Sequence, residues 1–178
     1  MPTLETDRLV IRHFEYGDCD FVVRLFNEPS FIRNVEDKGV RTPAQAAFFL
    51  TRGPMASYQQ HGHGLYLVAL KDSGRPIGMC GLLKRNHVPD VDLGYALLPE
   101  FWGRGYAIEA AAAVLDFGRR SLGLRVASAL VAPDNTRSVT LLTNLGFAFA
   151  QWLPLPGGSG ALAVYSRDLS CAPDAAEG

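Results

Sequence analysis

The chain has 178 residues, 48% of them apolar and 20% charged, with a net charge of −1. At about 150 residues per domain this is one globular core, far from the disordered class, with no basic field to hold nucleic acid. Cys19, Cys80 and Cys171 form no C-x-x-C pair, which excludes a disulfide framework or thiolate zinc site and points to a reducing, cytoplasmic compartment.

No window carries the roughly 18 apolar residues of a membrane span, and the start MPTLETDRLVIRHF lacks the apolar core of a signal peptide, so a soluble, unprocessed chain is expected. Alternation from Arg8 to Phe14 predicts a first strand, with Leu9 and Ile11 facing opposite to Val10 and Arg12. Asp18 reads as the N-cap of a helix bearing Phe21, Val22, Leu25 and Phe26, ended by Pro29, and a short helix is expected over 30–36. Thr42-Pro43 opens another helix, through Ala46, Ala47, Leu50 and Met55 towards Tyr58, with Gly53-Pro54 as a kink or break.

From His63 the pattern turns to strands. LYLVAL, PIGMCGLL and VDLGYALL, the first two joined through Asp72-Ser73-Gly74, form an antiparallel meander. A long helix follows from about Arg104 to Ser121, with Ile108, Ala111, Ala112, Leu115 and Leu122 on one stripe and Gly123 as its C′ residue. LRVASALVA is a buried strand, and Asn135 caps a helix with Val139, Leu142 and Leu145 on its stripe. Strands over 147–155 and in ALAVYSRDL flank a flexible turn at Gly157–Gly160. The fold class is therefore α+β, a mixed, mostly antiparallel sheet of about seven strands with a central parallel βαβ unit at 91–132, flanked by helices. Residues 1–170 form a single domain and 171–178 a disordered tail.

The most informative segment is the strand-to-helix junction LGYALLPEFWGRGYAIEAAAAVL. Gly103 and Gly105 let backbone N–H groups approach an anion at the positive end of the helix dipole, although glycines here also suit a tight turn. A P-loop would need Gly-Lys-Ser/Thr at the helix start, and a dinucleotide fingerprint a third glycine where Ile108 stands.

This junction, followed by APDNTRSVTLLTNLGF and preceded by LETDRLVIRHF and PIGMCGL, resembles the GCN5-related N-acetyltransferase superfamily, and most of all its ribosomal-protein N-terminal acetyltransferase branch, over about residues 4 to 169. The resemblance implies acetyl-CoA in a gap between VDLGYALL and LRVASALVA, with the phosphate signature read as Trp102, Gly103, Arg104, Gly105, Tyr106 and Ala107. Trp102 stands where the superfamily has Gln or Arg, as is common in that branch. By the same resemblance Leu97 and its neighbour Leu98 offer backbone N–H groups to the thioester carbonyl, and Asn135 and Ser138 match the family's next helix start. Ser138 would assist the departing thiolate, because the position seven residues after Asn135, where many members carry a tyrosine acid, is Leu142.

The chemistry needs a deprotonated amine, a held oxyanion and a stabilised thiolate. Asp92, on the coenzyme-flanking strand, is the expected base, with His87 or a water chain as alternatives. His61 and His63 are too few for a metal site, and none is expected. The expected function is direct acetyl transfer from acetyl-CoA to a primary amine, a protein N-terminus or a small molecule, by a monomer or homodimer without nucleic-acid or membrane partners. A non-catalytic acyl-CoA-binding module is the alternative.

Overall fold

In the computed structural model, which describes residues 3–85, 88, 90–155 and 160–170, the first two strands are β1 (Leu4–Glu5) and β2 (Leu9–Arg12). Leu9 and Ile11 are fully buried while Val10 and Arg12 are only partly covered, as the alternation requires. Four helical segments follow, α1 (Cys19–Phe26), α2 (Pro29–Asn34), α3 (Pro43–Leu50) and α4 (Ala56–His61). Asp18 stands at the head of α1 but makes no cap bond. Its buried carboxylate instead takes both terminal nitrogens of Arg12 at 2.8 Å and the Glu15 N–H at 2.8 Å, because a two-pronged charged pair outweighs a single cap bond. Nor does Gly53-Pro54 break its helix. One π-turn, Thr51–Met55, carries α3 into α4, its wider register absorbing the hydrogen bond that Pro54 cannot donate.

β3 (Leu65–Leu70), β4 (Pro76–Leu83) and β5 (Val91–Leu97) form the expected meander, with β4 buried along nearly its whole length. Then come α5 (Tyr106–Ser121), β6 (Val126–Val131), α6 (Thr136–Asn144), β7 (Ala148–Pro154) and β8 (Ala161–Asp168). The sheet runs β1-β2-β3-β4-β5-β6-β8-β7, antiparallel everywhere except between β5 and β6. Its eighth strand is the two-residue β1, too short to show a period in sequence.

The stripe that α5 buries is Ala110, Ala111, Val114, Leu115, Phe117 and Gly118, whereas Ala112, expected on it, faces solvent. Alanine does not distinguish the two faces of a helix by itself. Gly118 fixes the phase: a Cβ there would stand 2.9 Å from Leu82 Cδ1 and 3.0 Å from Leu124 Cδ1. Leu82 pairs with Leu93, so the face of β4 and β5 that carries these leucines is the one α5 covers. Asp92, next along β5, faces the opposite side. Residues 171–178, where a tail was expected, and 156–159 in the expected turn lie outside the described residues.

Candidate active site

Two strands that part company define the site. β5 and β6 pair only at Val91 with Ala127 and Asp92 with Ser128, and from there the ladder stops. On the other edge of β5 the Leu98 N–H donates to Ile77 O at 2.9 Å. By the alternation of an antiparallel ladder, the backbone groups of Leu93, Tyr95 and Leu97 therefore point towards β6 and into the gap. Leu97 thus faces the gap with its backbone. Leu98 does not: its N–H is spent on Ile77, its carbonyl accepts from Phe101 N at 3.0 Å, and its side chain is fully buried, so it serves the core rather than a thioester.

Past the end of β5 the chain makes the glycine turn. Gly103 (φ 71°) and Gly105 (φ 80°) both lie in the left-handed region, and Gly105 is the N-cap of the 16-residue α5. A Cβ on Gly103 would meet nothing within 4 Å, so this side of the turn is open. Glu109 N bonds Gly105 O at 3.1 Å, which leaves the amides of Tyr106, Ala107 and Ile108 as the outward-facing donors of the helix head. An anion fits here. Arg8, just before β2, holds this turn: its Nη1 donates to Arg104 O at 2.9 Å, its Nε to Glu109 Oε2 at 2.7 Å, and its guanidinium lies 4.6 Å from the centre of the Tyr106 ring. Thr6 Oγ1 donates to the other Glu109 oxygen at 2.6 Å. These bonds lower the Glu109 pKa in spite of the opposing effect of burial. Trp102 ties the turn back to the gap, its Nε1 donating to Leu97 O at 2.8 Å while Arg137 of α6 stacks over its ring at 5.1 Å.

α6 begins beside the gap. Asn135 Oδ1 accepts from Ser138 N at 3.2 Å, the expected cap. Ser138 Oγ lies 2.5 Å from the hydroxyl of Tyr95, which crosses from β5. Leu142 is 1% exposed and belongs to the core.

On the far face of β5, Asp92 is 1% exposed and fully engaged. Arg85 Nε donates to its Oδ2 at 2.6 Å, and Leu130 N of β6 donates to its Oδ1 at 3.2 Å. The carboxylate thus supplies β6 with the bond that a continuing ladder would have made, and acts as a strut at the point where the strands part. Both oxygens of the proton acceptor expected from sequence are thus engaged in hydrogen bonds. On the same face Asp90, Ser128, Gln151 and Ser166 line a recess of about 100 Å³ with Val88, Leu153 and Val164. Ser128 is 2% exposed. His87 lies outside the described residues.

The residues 8–148 match the family description "Acetyltransferase (GNAT) domain". The chain belongs to the GNAT acetyltransferase family. It is 30% identical over 149 residues to YoaA of Bacillus subtilis strain 168, named an uncharacterized N-acetyltransferase, with 82% of each chain covered. The crystal structure of an acetyltransferase from Agrobacterium tumefaciens strain C58 is 28% identical and superposes with a TM-score of 0.77 over 94% of both chains. The spermidine N-acetyltransferase of Vibrio cholerae, solved with CoA and spermine, shares the fold at 18% identity, with a TM-score of 0.76 over 92% of this chain and 96% of that one.

Within this GNAT chain the structure brings Leu97, Trp102, Gly103, Arg104, Gly105, Tyr106, Ala107, Asn135 and Ser138 around one gap. Thr6, Arg8, Glu109, Tyr95 and Arg137 are not legible as site residues in the sequence because their partners lie on other elements, although the first three sit within the LETDRL and IEA motifs. His63 Nδ1 donates to Leu82 O at 2.9 Å, a structural bond. Among the described residues, no helix is long and apolar enough to cross a membrane.

Proposed function

We propose that this GNAT acetyltransferase uses acetyl-CoA and transfers the acetyl group directly to a primary amine, either a protein N-terminus or a small molecule. The observation that carries this reading is the β5–β6 gap with an anion-binding helix head at one end and the Ser138 hydroxyl beside it. The amides of Tyr106, Ala107 and Ile108 would hold the pyrophosphate, with Arg104 adding charge, and the Leu97 N–H would bond the thioester oxygen as negative charge develops there. Ser138 would donate to the departing thiolate.

The amine would approach from the other face, where Asp90 draws the ammonium form and the recess around Ser128 admits a slender head group. Its proton would leave through water, with Asp92 holding the strands apart rather than taking the proton itself. Direct attack is favoured over an acetyl-enzyme because the Cys80 thiol is fully buried and pushed up to about 12, and burial also raises that of Cys19.

The test is release of CoA thiol with a panel of amines, peptides with free N-termini included, read by mass spectrometry. Acetylation of one amine class with stoichiometric thiol release is expected. Tight acetyl-CoA binding without release by any amine would make the chain a non-catalytic coenzyme-binding module.

A further inference from the structure

Tyr95 sits on the face of β5 that α5 covers, opposite to Asp92, and its side chain reaches across to the first turn of α6. Its Oη lies 2.5 Å from Ser138 Oγ and 3.4 Å from Ser138 O. The shorter contact is the better hydrogen bond by distance. A serine in the first turn of a helix has three staggered rotamers and ordinarily turns its hydroxyl to nearby backbone or to water. Ser138 is held at both ends instead: its N–H is fixed by Asn135 Oδ1 and its oxygen by the phenol.

The direction of the Tyr95–Ser138 bond matters. A phenol carries one proton, and a serine hydroxyl one proton and two acceptor sites. Burial pushes the Tyr95 hydroxyl up to about 12, so it keeps its proton at neutral pH and can give it to Ser138 Oγ, the nearer of its two acceptors at 2.5 Å against 3.4 Å. With Tyr95 donating to Ser138 Oγ, the serine's own proton is turned away from the phenol and left for a third atom. The phenol reaches this point from the strand, whereas the helix position one turn further on, Leu142, is committed to the core. Across the ladder Tyr95 pairs with Cys80, which is fully buried, while Tyr95 itself is half-buried.

We infer that Tyr95 is a positioning residue for the transfer reaction: its hydroxyl fixes the Ser138 rotamer and aims the serine proton at the leaving sulfur of the thioester. The inference rests on the thiolate-donor role proposed for Ser138. It adds no chemical step of its own, since the phenol keeps its proton and only the serine hydroxyl touches the sulfur.

The experiment is a double-mutant cycle on the full chain with Tyr95→Phe, Ser138→Ala and the double variant, each assayed for kcat and for the KM of acetyl-CoA with the best amine of the panel. Tyr95→Phe keeps the ring and its packing, and a thermal melt checks that the fold is retained. Ser138→Ala should lower kcat by ten- to a thousandfold. Tyr95→Phe should lower kcat about tenfold with the KM for acetyl-CoA within about twofold of the parent, and should have no further effect when Ser138 is already alanine. An unchanged kcat in Tyr95→Phe beside a slow Ser138→Ala overturns the inference and leaves the serine's role standing. A tyrosine effect that multiplies in the Ser138→Ala background also overturns it, because Tyr95 would then act independently of the serine. A Ser138→Ala enzyme with normal kcat removes the role proposed for the serine and the inference with it.

Discussion

Removing the Asp92 carboxylate tests whether the gap between β5 and β6 is held open by a strut. Asp92→Ala removes the 2.6 Å bond from Arg85 Nε and the 3.2 Å bond from Leu130 N. The first is a hydrogen bond between charged groups, worth about 1.5–3 kcal/mol, and the second leaves a backbone N–H unsatisfied at a cost of about 1–3 kcal/mol. Because Arg85 is 39% exposed and regains water, the low ends apply to it, and a total of about 3 kcal/mol is expected. In a chain of this size that lowers the Tm by roughly 6–12 °C. Asp92→Asn behaves differently. Its amide oxygen still accepts from Leu130, the ion pair with Arg85 is lost, and the cost falls to about 1 kcal/mol, or roughly 2–4 °C. Thermal melts give the stabilities, and calorimetric titration with acetyl-CoA reports on the gap: affinity should fall about tenfold in the alanine variant, where β6 is free to close on β5, and stay near the parent in the asparagine variant. The reasoning is refuted if Asp92→Asn melts like the parent yet loses its rate at neutral pH and regains it as pH rises, since that is the behaviour of a proton acceptor.

Gly105→Asp should weaken acetyl-CoA binding by more than about tenfold in calorimetry, at a cost of about 1–2 kcal/mol in stability for a side chain at φ 80°, the new Cβ itself meeting only the tip of the Arg8 side chain at 3.2 Å; undiminished affinity in a variant that still melts cooperatively would place the coenzyme elsewhere. The ring of His13 stacks on Tyr58 at 3.9 Å, its buried Nε2 has no hydrogen-bond partner among the described residues, and burial lowers its pKa from 6.5. The folded state therefore favours the neutral ring, so the stability it contributes is full above about pH 6.5 and is lost as pH falls through the lowered value. In melts across that range His13→Phe should show a shallower decline than the parent, and parallel curves would show that His13 does not carry the effect. Glu109 has its pKa lowered by Thr6 and Arg8 against the effect of burial, so its contribution is present above about pH 4.3 and lost below, and Glu109→Gln should flatten the acid limb of the stability curve. An unaltered limb would mean that the charge on Glu109 is not what holds β2 to the head of α5.

The readings that came from the sequence were those that depend on a few neighbouring residues. The alternation over Arg8–Phe14, the meander, the long helix, the turn at Gly103 and Gly105 and the Asn135 cap each follow from backbone and side-chain preferences that act within one or two turns of chain. The family followed from the order of such motifs. Partner choice was another matter. Arg8 and Glu109 are 101 residues apart, Tyr95 and Ser138 are 43 apart, and Asp92 meets Leu130 across 38. The sequence makes Asp92 the expected base on the coenzyme-flanking strand and does not show it bridging β5 to β6, because nothing local says that the two strands stop pairing after Asp92 and Ser128. Ala112 was placed on the buried stripe of α5 because only the contact of Gly118 with Leu82 and Leu124 sets the rotation of that helix. Local preferences are fixed by the chain's own sterics and are legible wherever the residues occur. Which oxygen accepts from which nitrogen depends on how distant elements register once the core has formed, and that register was decided only by the tertiary structure.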